Sequence, residues 1–249
     1  MSTWHLIGSG DGEVVCWADE KIVRFNRRPD SDERWDLNVC NGKLAGESLP
    51  FSVDGVEPVH GFATLLRDNA EKLKEELGTR PSSGLATLFT LYNAGLTVRL
   101  SCMNLLPSIV RPMNLGARVP VPCTFHNWLG ERRVALPIVN ALRWPGFWLS
   151  EEQSYEAGSI NPYSLLTALS DLERSEGQKL IAELEHVATQ QWIEHATQEA
   201  IRELEPLFFL SRSETTTPNW WLYDRAASQA MSQILHQLAR AQQVLWLRA

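Results

Sequence analysis

A helix that ends in a glycine turn and leads into a strand is the feature that most constrains the fold of this chain. Residues 85–93 form an apolar run of helical length, and Gly95 follows its end. Residues 96–102 (LTVRLSC) then have the composition of a strand. Helix, turn and strand make half of a βαβ unit, and chains built from such units fold into mostly parallel sheets.

Further strands and one further helix are predicted in front of this unit. Short strand-like runs cover residues 3–7, 21–25 and 36–39. Residues 60–77 carry their apolar side chains on one helical face, and Gly78 is a natural end for that helix. The front of the chain therefore alternates between strands and helices.

The back of the chain is predicted to be helical. Apolar residues recur there at steps of three and four, which indicates helices over residues 165–172, 178–204 and 224–247. Residues 134–142, ahead of this region, are apolar and fit either a strand or a helix.

These patterns predict an α/β fold, with a Rossmann-like, mostly parallel sheet and a C-terminal helical extension. We expect two domains, an α/β domain over residues 1–150 and a helical region over 151–249 that packs on it. The first carries 16 basic and 16 acidic side chains and the second 7 and 14, so the whole net charge of −7 lies in the helical region. An acidic surface of this kind argues against nucleic acid as the main partner.

The cysteines and the start of the chain point to the cytoplasm. The four cysteines form no C-x-x-C pair, which is typical of free thiols in a reducing compartment. The first residues resemble no signal peptide, and no run approaches the roughly 20 apolar residues of a membrane span. We expect a soluble cytoplasmic protein without a transmembrane segment. Peripheral membrane contact through exposed aromatic residues, and homo-oligomers, stay open.

Glycines and amides follow the first three predicted strands. Gly8, Ser9 and Gly10 come after the first, where a chain without side chains can approach a phosphate or can simply turn. Asn26 and Asn41 follow the next two, where their amides can contact a sugar or a base or can cap turns. The ends of parallel strands are where α/β folds bind ligands.

A second group of polar residues precedes the apolar helix. Arg80, Ser82, Ser83 and Gly84 stand at its start, where hydroxyls and unpaired backbone N–H groups attract an anion. An ordinary serine N-cap explains the same residues equally well.

A histidine with a glutamate five positions later follows the proline-rich segment. His126 and Glu131 could be a general base and the carboxylate that orients it. The alternative is an exposed structural histidine, which is the commoner case for any single histidine.

In this order, these pieces resemble the sialyltransferases, most closely the smaller bacterial group that uses cytidine-monophosphate sugars. The glycine turn, Arg24-Phe25-Asn26 and Asn41 are similar to the nucleotide-binding elements of that family. Arg80 to Gly84 resemble its small motif, and His126 with Glu131 its very small motif. The resemblance covers roughly residues 5–135.

The resemblance implies a nucleotide-sugar-binding domain and a glycosyltransferase. The donor would be a cytidine-monophosphate-activated acidic sugar, of the sialic acid or the eight-carbon lipopolysaccharide type, and the acceptor a glycan. His126 would deprotonate the acceptor hydroxyl. The residues implied to bind the nucleotide sugar are Gly8, Ser9, Gly10, Asn26, Asn41, Arg80, Ser82, Ser83 and Gly84. No metal is expected, because the leaving group carries a single phosphate.

Two other functions stay open. Asp30-Ser31-Asp32 has the carboxylate spacing of a divalent-cation site, which would suit a metal-dependent sugar transferase, although a solvated loop explains so charged a segment more simply. The second is a catalytically inactive, sialyltransferase-like protein that binds a partner through its tryptophan-rich back third, including Trp220 and Trp221.

Overall fold

The structure, a computed structural model, is an α/β fold with a five-stranded, mostly parallel sheet and a long C-terminal helix. It describes residues 2–28, 33–41, 50–150, 160–210 and 219–249. The chain forms two compact units, residues 1–104 with 137–148, and residues 105–136 with 149–249. The chain passes from the first unit to the second for the last time between Trp148 and Leu149, close to the domain boundary predicted at residue 150. The division into an α/β domain and a helical domain stays a prediction.

The first unit contains the sheet. Its strands are β1 (Thr3–Ile7), β2 (Glu20–Phe25), β3 (Leu37–Asn41), β4 (Phe51–Gly55) and β5 (Val98–Ser101), in the spatial order β4-β3-β2-β1-β5. β1, β2, β3 and β5 are parallel, and β4 is antiparallel to β3. The sequence patterns predicted all of these strands except β4, which alternates weakly and has an exposed end.

Two helices stand between β4 and β5. Helix α1 (Phe62–Leu77) ends at Gly78, whose φ of 70° is the left-handed value that glycine adopts without strain. Helix α2 (Ser83–Asn93) is buried along nearly its whole length and packs against β3 and β5. The β1–β2 connection is a loop, and the described residues of the β2–β3 connection, 26–28 and 33–36, contain no helix.

Alternation along the strands gives the sheet two different faces. Leu6, Val23 and Val39 lie on one face and are fully buried. The register places His5 beside Arg99 on the other face, which is largely polar. The loop between β1 and β2 covers this polar face, since Trp17 stacks on the Arg99 guanidinium at 4.2 Å.

The second unit is helical. Its helices are α3 (Trp128–Ala135), α4 (Pro162–Thr167), α5 (Arg174–Glu185), α6 (Thr189–Glu194), α7 (Gln198–Leu204) and α8 (Arg225–Arg248). They surround an apolar cluster that includes Trp192, Trp221 and Met231, all fully buried. None of the helices that the structure describes is long and apolar enough to cross a membrane.

The single helix predicted over residues 178–204 is wrong, because three short helices occupy that stretch. Thr197 starts the last of them, with its hydroxyl accepting a hydrogen bond from the Ala200 N–H at 3.0 Å. The breaks allow α5, α6 and α7 each to turn an apolar side towards α8. Residues 134–142 are helical, since α3 continues into a 3₁₀ helix, Leu136–Ala141.

Candidate functional site

The carboxyl ends of four parallel strands meet at one edge of the sheet. Gly8 follows β1, Asn26 follows β2, Asn41 ends β3 and Cys102 follows β5. The predicted nucleotide-binding residues after the strands therefore share one edge of the first unit. The spatial order of the strands reverses between β1 and β5, and α/β folds bind ligands at such a reversal.

The glycine turn after β1 packs tightly against the turn after β5. The Gly8 N–H donates to the Ser101 carbonyl and the Gly10 N–H to the Cys102 carbonyl, both at 2.9 Å. A Cβ on Gly8 would overlap the Cys102 carbonyl and come within 2.9 Å of the Met103 Cβ. Position 8 therefore requires glycine, because the two chain segments approach each other closely there. The Gly8 and Gly10 N–H groups are both used in hydrogen bonds within the protein.

The first turn of α2 also contacts the turn after β5. A Cβ on Gly84 would lie 2.7 Å from the Met103 sulfur, so Met103 touches both Gly8 and Gly84. Ser82 is the N-cap of α2, and its hydroxyl accepts from the Leu85 N–H at 3.2 Å. Ser83 is buried in the first turn. The glycine turn and this helix start, far apart in sequence, are thus neighbours, whereas the Arg80 side chain is exposed to solvent.

The two predicted asparagines contact each other. The Asn26 side-chain oxygen accepts a hydrogen bond from the Asn41 N–H at 2.9 Å. Asn26 has a φ of 55°, a left-handed conformation that asparagine tolerates better than most residues. Beside them the buried Asn38 bonds both the N–H and the carbonyl of Arg27, at 3.1 and 2.8 Å. The Asn26 side chain therefore links the end of β2 to the end of β3 by a hydrogen bond.

His126 and Glu131 are paired in the second unit. The His126 Nδ1 lies 4.0 Å from a Glu131 carboxylate oxygen, with the histidine partly exposed and the glutamate fully buried. The Trp128 ring stands edge-on to the imidazole at 5.3 Å, and Trp128 Nε1 is tied to the Cys123 carbonyl at 2.8 Å. An imidazole held between a carboxylate and an aromatic edge can act as an oriented base.

The start of α3 fixes this pair. Asn127 is the N-cap, and its side chain accepts from the Gly130 N–H at 2.9 Å. The same side chain donates to Glu205 at 2.7 Å, and Arg133 binds the Glu205 carboxylate with two nitrogens. This buried network holds in place the helical turn that carries Glu131. Because His126 lies in one unit and Ser83 in the other, a shared cleft between them stays a prediction.

Sequence patterns did not single out a buried polar cluster on β1, β2 and β5. His5 and Glu20 are fully buried, Arg99 is mostly buried and Ser101 is partly exposed. Arg99 binds both Glu20 carboxylate oxygens at 2.8 Å, and Glu20 lies 3.2 Å from the His5 Nδ1. Arg99 and Ser101, at alternate positions of one predicted strand, were the available signal, but only the register shows that they meet His5 and Glu20.

Burial and neighbouring charges shift the pKa values of His5 and Glu20 in this cluster. Burial lowers the pKa of His5, and the Arg99 charge lowers it further, while Glu20 opposes both effects. Burial by itself would raise the pKa of Glu20, but the Trp17 N–H and Arg99 outweigh it and lower that pKa. The cluster therefore holds a glutamate carboxylate beside a neutral imidazole.

Asp30-Ser31-Asp32 falls outside the described residues. Among the residues that the structure does describe, no group of three or more histidine, cysteine or acidic side chains could hold a metal ion. Comparisons with protein-family models, with curated proteins and with solved structures find no significant match to this chain.

Proposed function

We propose that the protein is a glycosyltransferase that moves an acidic sugar from a cytidine-monophosphate-activated donor to a glycan acceptor. The carrying observation is that the glycine turn, both asparagines and the serine-led helix start lie along one carboxyl edge of the parallel sheet in the first unit. We also propose that the sheet is Rossmann-like, on the strength of its strand-order reversal between β1 and β5.

The first unit contributes the nucleotide-sugar contacts in this proposal. Ser83 and Gly84 stand in the first turn of α2, where backbone N–H groups and the helix dipole favour the donor's phosphate or carboxylate. Asn26 and Asn41 orient the ribose and the sugar through their amides. Arg80, with an exposed side chain, adds positive charge for the anionic donor.

The second unit contributes the base. His126 accepts the proton of the acceptor hydroxyl as that oxygen forms its bond to the anomeric carbon, and cytidine monophosphate leaves. The buried Glu131 carboxylate, with an oxygen 4.0 Å from the His126 Nδ1, stabilises the protonated imidazole through its charge.

Calorimetry with cytidine monophosphate tests the proposal first. We expect binding at millimolar or lower concentration, and weaker binding in Asn26→Gly, which keeps the left-handed backbone and removes the amide. Adenosine and guanosine monophosphate are the specificity controls. If no cytidine nucleotide binds at millimolar levels, the proposal is wrong.

Turnover of a cytidine-monophosphate–sialic acid donor in the presence of a panel of glycans tests the base. We expect His126→Ala to keep nucleotide binding and to lose transfer by a factor on the order of 10² or more. His186→Ala, which alters an exposed histidine of the same unit, is the matched control and should stay active. Nucleotide binding without transfer to any acceptor, unchanged by His126→Ala, would instead favour the catalytically inactive binding protein.

A further inference from the structure

Three side chains of the first unit form a continuous hydrogen-bonded row that the transferase proposal does not use. The His5 Nε2 and the Ser101 hydroxyl are hydrogen bonded, and the His5 Nδ1 lies 3.2 Å from Glu20 Oε2. The order is hydroxyl, imidazole, carboxylate, with the two ring nitrogens facing opposite partners. This is the arrangement in which a histidine takes a proton from a serine while a carboxylate orients it.

The neighbours of His5 determine which ring nitrogen carries the proton. Arg99 Nη1 lies 3.4 Å from the His5 Nδ1 but only 2.8 Å from each Glu20 carboxylate oxygen, so its short contacts are made to the carboxylate. Glu20, as an acceptor, then requires the proton on Nδ1. This leaves the Nε2 lone pair to accept from the Ser101 hydroxyl.

The position of Ser101 suits a reactive group. It ends β5 at the carboxyl edge of the sheet and is partly exposed, whereas His5 and Glu20 behind it are fully buried. The next residue, Cys102, has a φ of 53°, an uncommon conformation for a non-glycine residue, and its carbonyl is held by the Gly10 N–H. A sharp turn directly after the strand leaves the serine side chain at the rim of the sheet.

We propose that Ser101 is a nucleophile towards carboxylic esters and related electrophiles, with His5 as its general base and Glu20 as the residue that positions the imidazole. The Ser101 Oγ forms a bond to the carbonyl carbon, its proton passes to the His5 Nε2, and the departing alkoxide takes that proton as its bond to carbon breaks. Water then attacks the acyl carbon, gives a proton to His5, and releases the acid as Ser101 recovers its proton. The inference does not depend on the transferase proposal.

A fluorophosphonate probe tests this inference on the 249-residue protein. The Ser101 oxygen bonds to phosphorus, fluoride leaves, and His5 accepts the proton. We expect one equivalent of label, located by peptide mass spectrometry on Ser101 and absent in Ser101→Ala. Ser170→Ala, which alters an exposed serine of the second unit, is the control and should label normally. Label on another residue, or no label on the wild-type protein, overturns the inference. A His5 with its proton on Nε2 could not accept the Ser101 proton and would give no label.

The pH profile of labelling separates a positioning role of Glu20 from a merely structural one. Labelling requires neutral His5, so its rate should rise with pH and reach half its maximum below pH 6.5, the usual pKa of histidine, because burial and Arg99 lower the pKa of His5. In Glu20→Gln the carboxylate that raises this pKa is lost. We expect a slower plateau and a midpoint at still lower pH. A rate that is independent of pH, or an unchanged midpoint in Glu20→Gln, contradicts the assigned roles.

Discussion

At the scale of single residues, glycine serves two different purposes beside Met103. Gly8 lies against backbone, because the Cys102 carbonyl occupies the space that its Cβ would need. Gly84 lies against the end of the flexible Met103 side chain, which can rotate away. The same residue type is therefore indispensable at one position and replaceable at the other, although both stand at the candidate site.

Alanine substitution should separate the two glycines. We expect Gly8→Ala to lower the free energy of unfolding by about 1 to 3 kcal/mol, since backbone must move to admit the methyl group. Gly84→Ala should change it by less than about 1 kcal/mol, because alanine favours the helix and Met103 can adjust. Urea unfolding of both variants measures the difference. Equal losses would show that the turn after β5 yields as easily as a methionine side chain.

At the scale of elements, side-chain caps fix the residues at which several helices begin, among them α2 in the first unit and α8 in the second. Ser82 caps α2 and Asp224 caps α8, the latter through a hydrogen bond from the Ala227 N–H at 3.0 Å. That bond, assisted by Arg174 and opposed by burial, lowers the pKa of Asp224. Its stabilising contribution is therefore present above pH 3.8, the usual pKa of aspartate, and is lost as the pH falls below that value.

Removing the Asp224 cap of α8 should lower the free energy of unfolding more than removing its ion-pair partner Arg174. Asp224→Ala should lower the free energy of unfolding by about 1 kcal/mol at neutral pH. Arg174→Ala should cost no more than a few tenths of a kcal/mol, because the Arg174 side chain is 62% exposed and solvent screens the pair. Thermal unfolding at pH 7 compares the two. A larger loss in Arg174→Ala would assign the stabilisation to the charge pair and not to the cap.

At the scale of the whole molecule, each of the two compact units has an apolar interior. Leu6 is fully buried in the sheet of the first unit, and Leu235 is fully buried in the helical cluster of the second. Burying such side chains provides most of the stability of each unit. A cavity made in one interior should therefore lower the local stability of the helices and strands that surround it more than that of the other unit.

Hydrogen exchange on a matched pair of leucine variants tests this division. Leu6→Ala and Leu235→Ala should each cost about 2 to 5 kcal/mol. We expect Leu6→Ala to reduce amide protection mainly in β1, β2 and β5, and Leu235→Ala mainly in α5, α6 and α8. Equal loss of protection in both units for both variants would mean that they unfold as one cooperative structure.

Local sequence determined the parts of this protein that depend on neighbouring residues. A short strand-like run located β1, alternation located β2, and helical spacing located α1, together with the glycine that ends it at Gly78. The serine cap at Ser82 is equally local. In the helical part the same reasoning failed between residues 178 and 204, because burial against α8 favoured three short helices over one continuous helix.

Only the tertiary structure decided which polar residues meet. His5 and Ser101 are 96 positions apart, and their contact requires both the parallel pairing of β1 with β5 and its particular register. A shift of one residue would turn these side chains to opposite faces of the sheet. Patterns along a chain report the periodicity of one element at a time, whereas strand order and register are set by packing between distant segments, so sequence alone located the candidate residues and the fold assembled them.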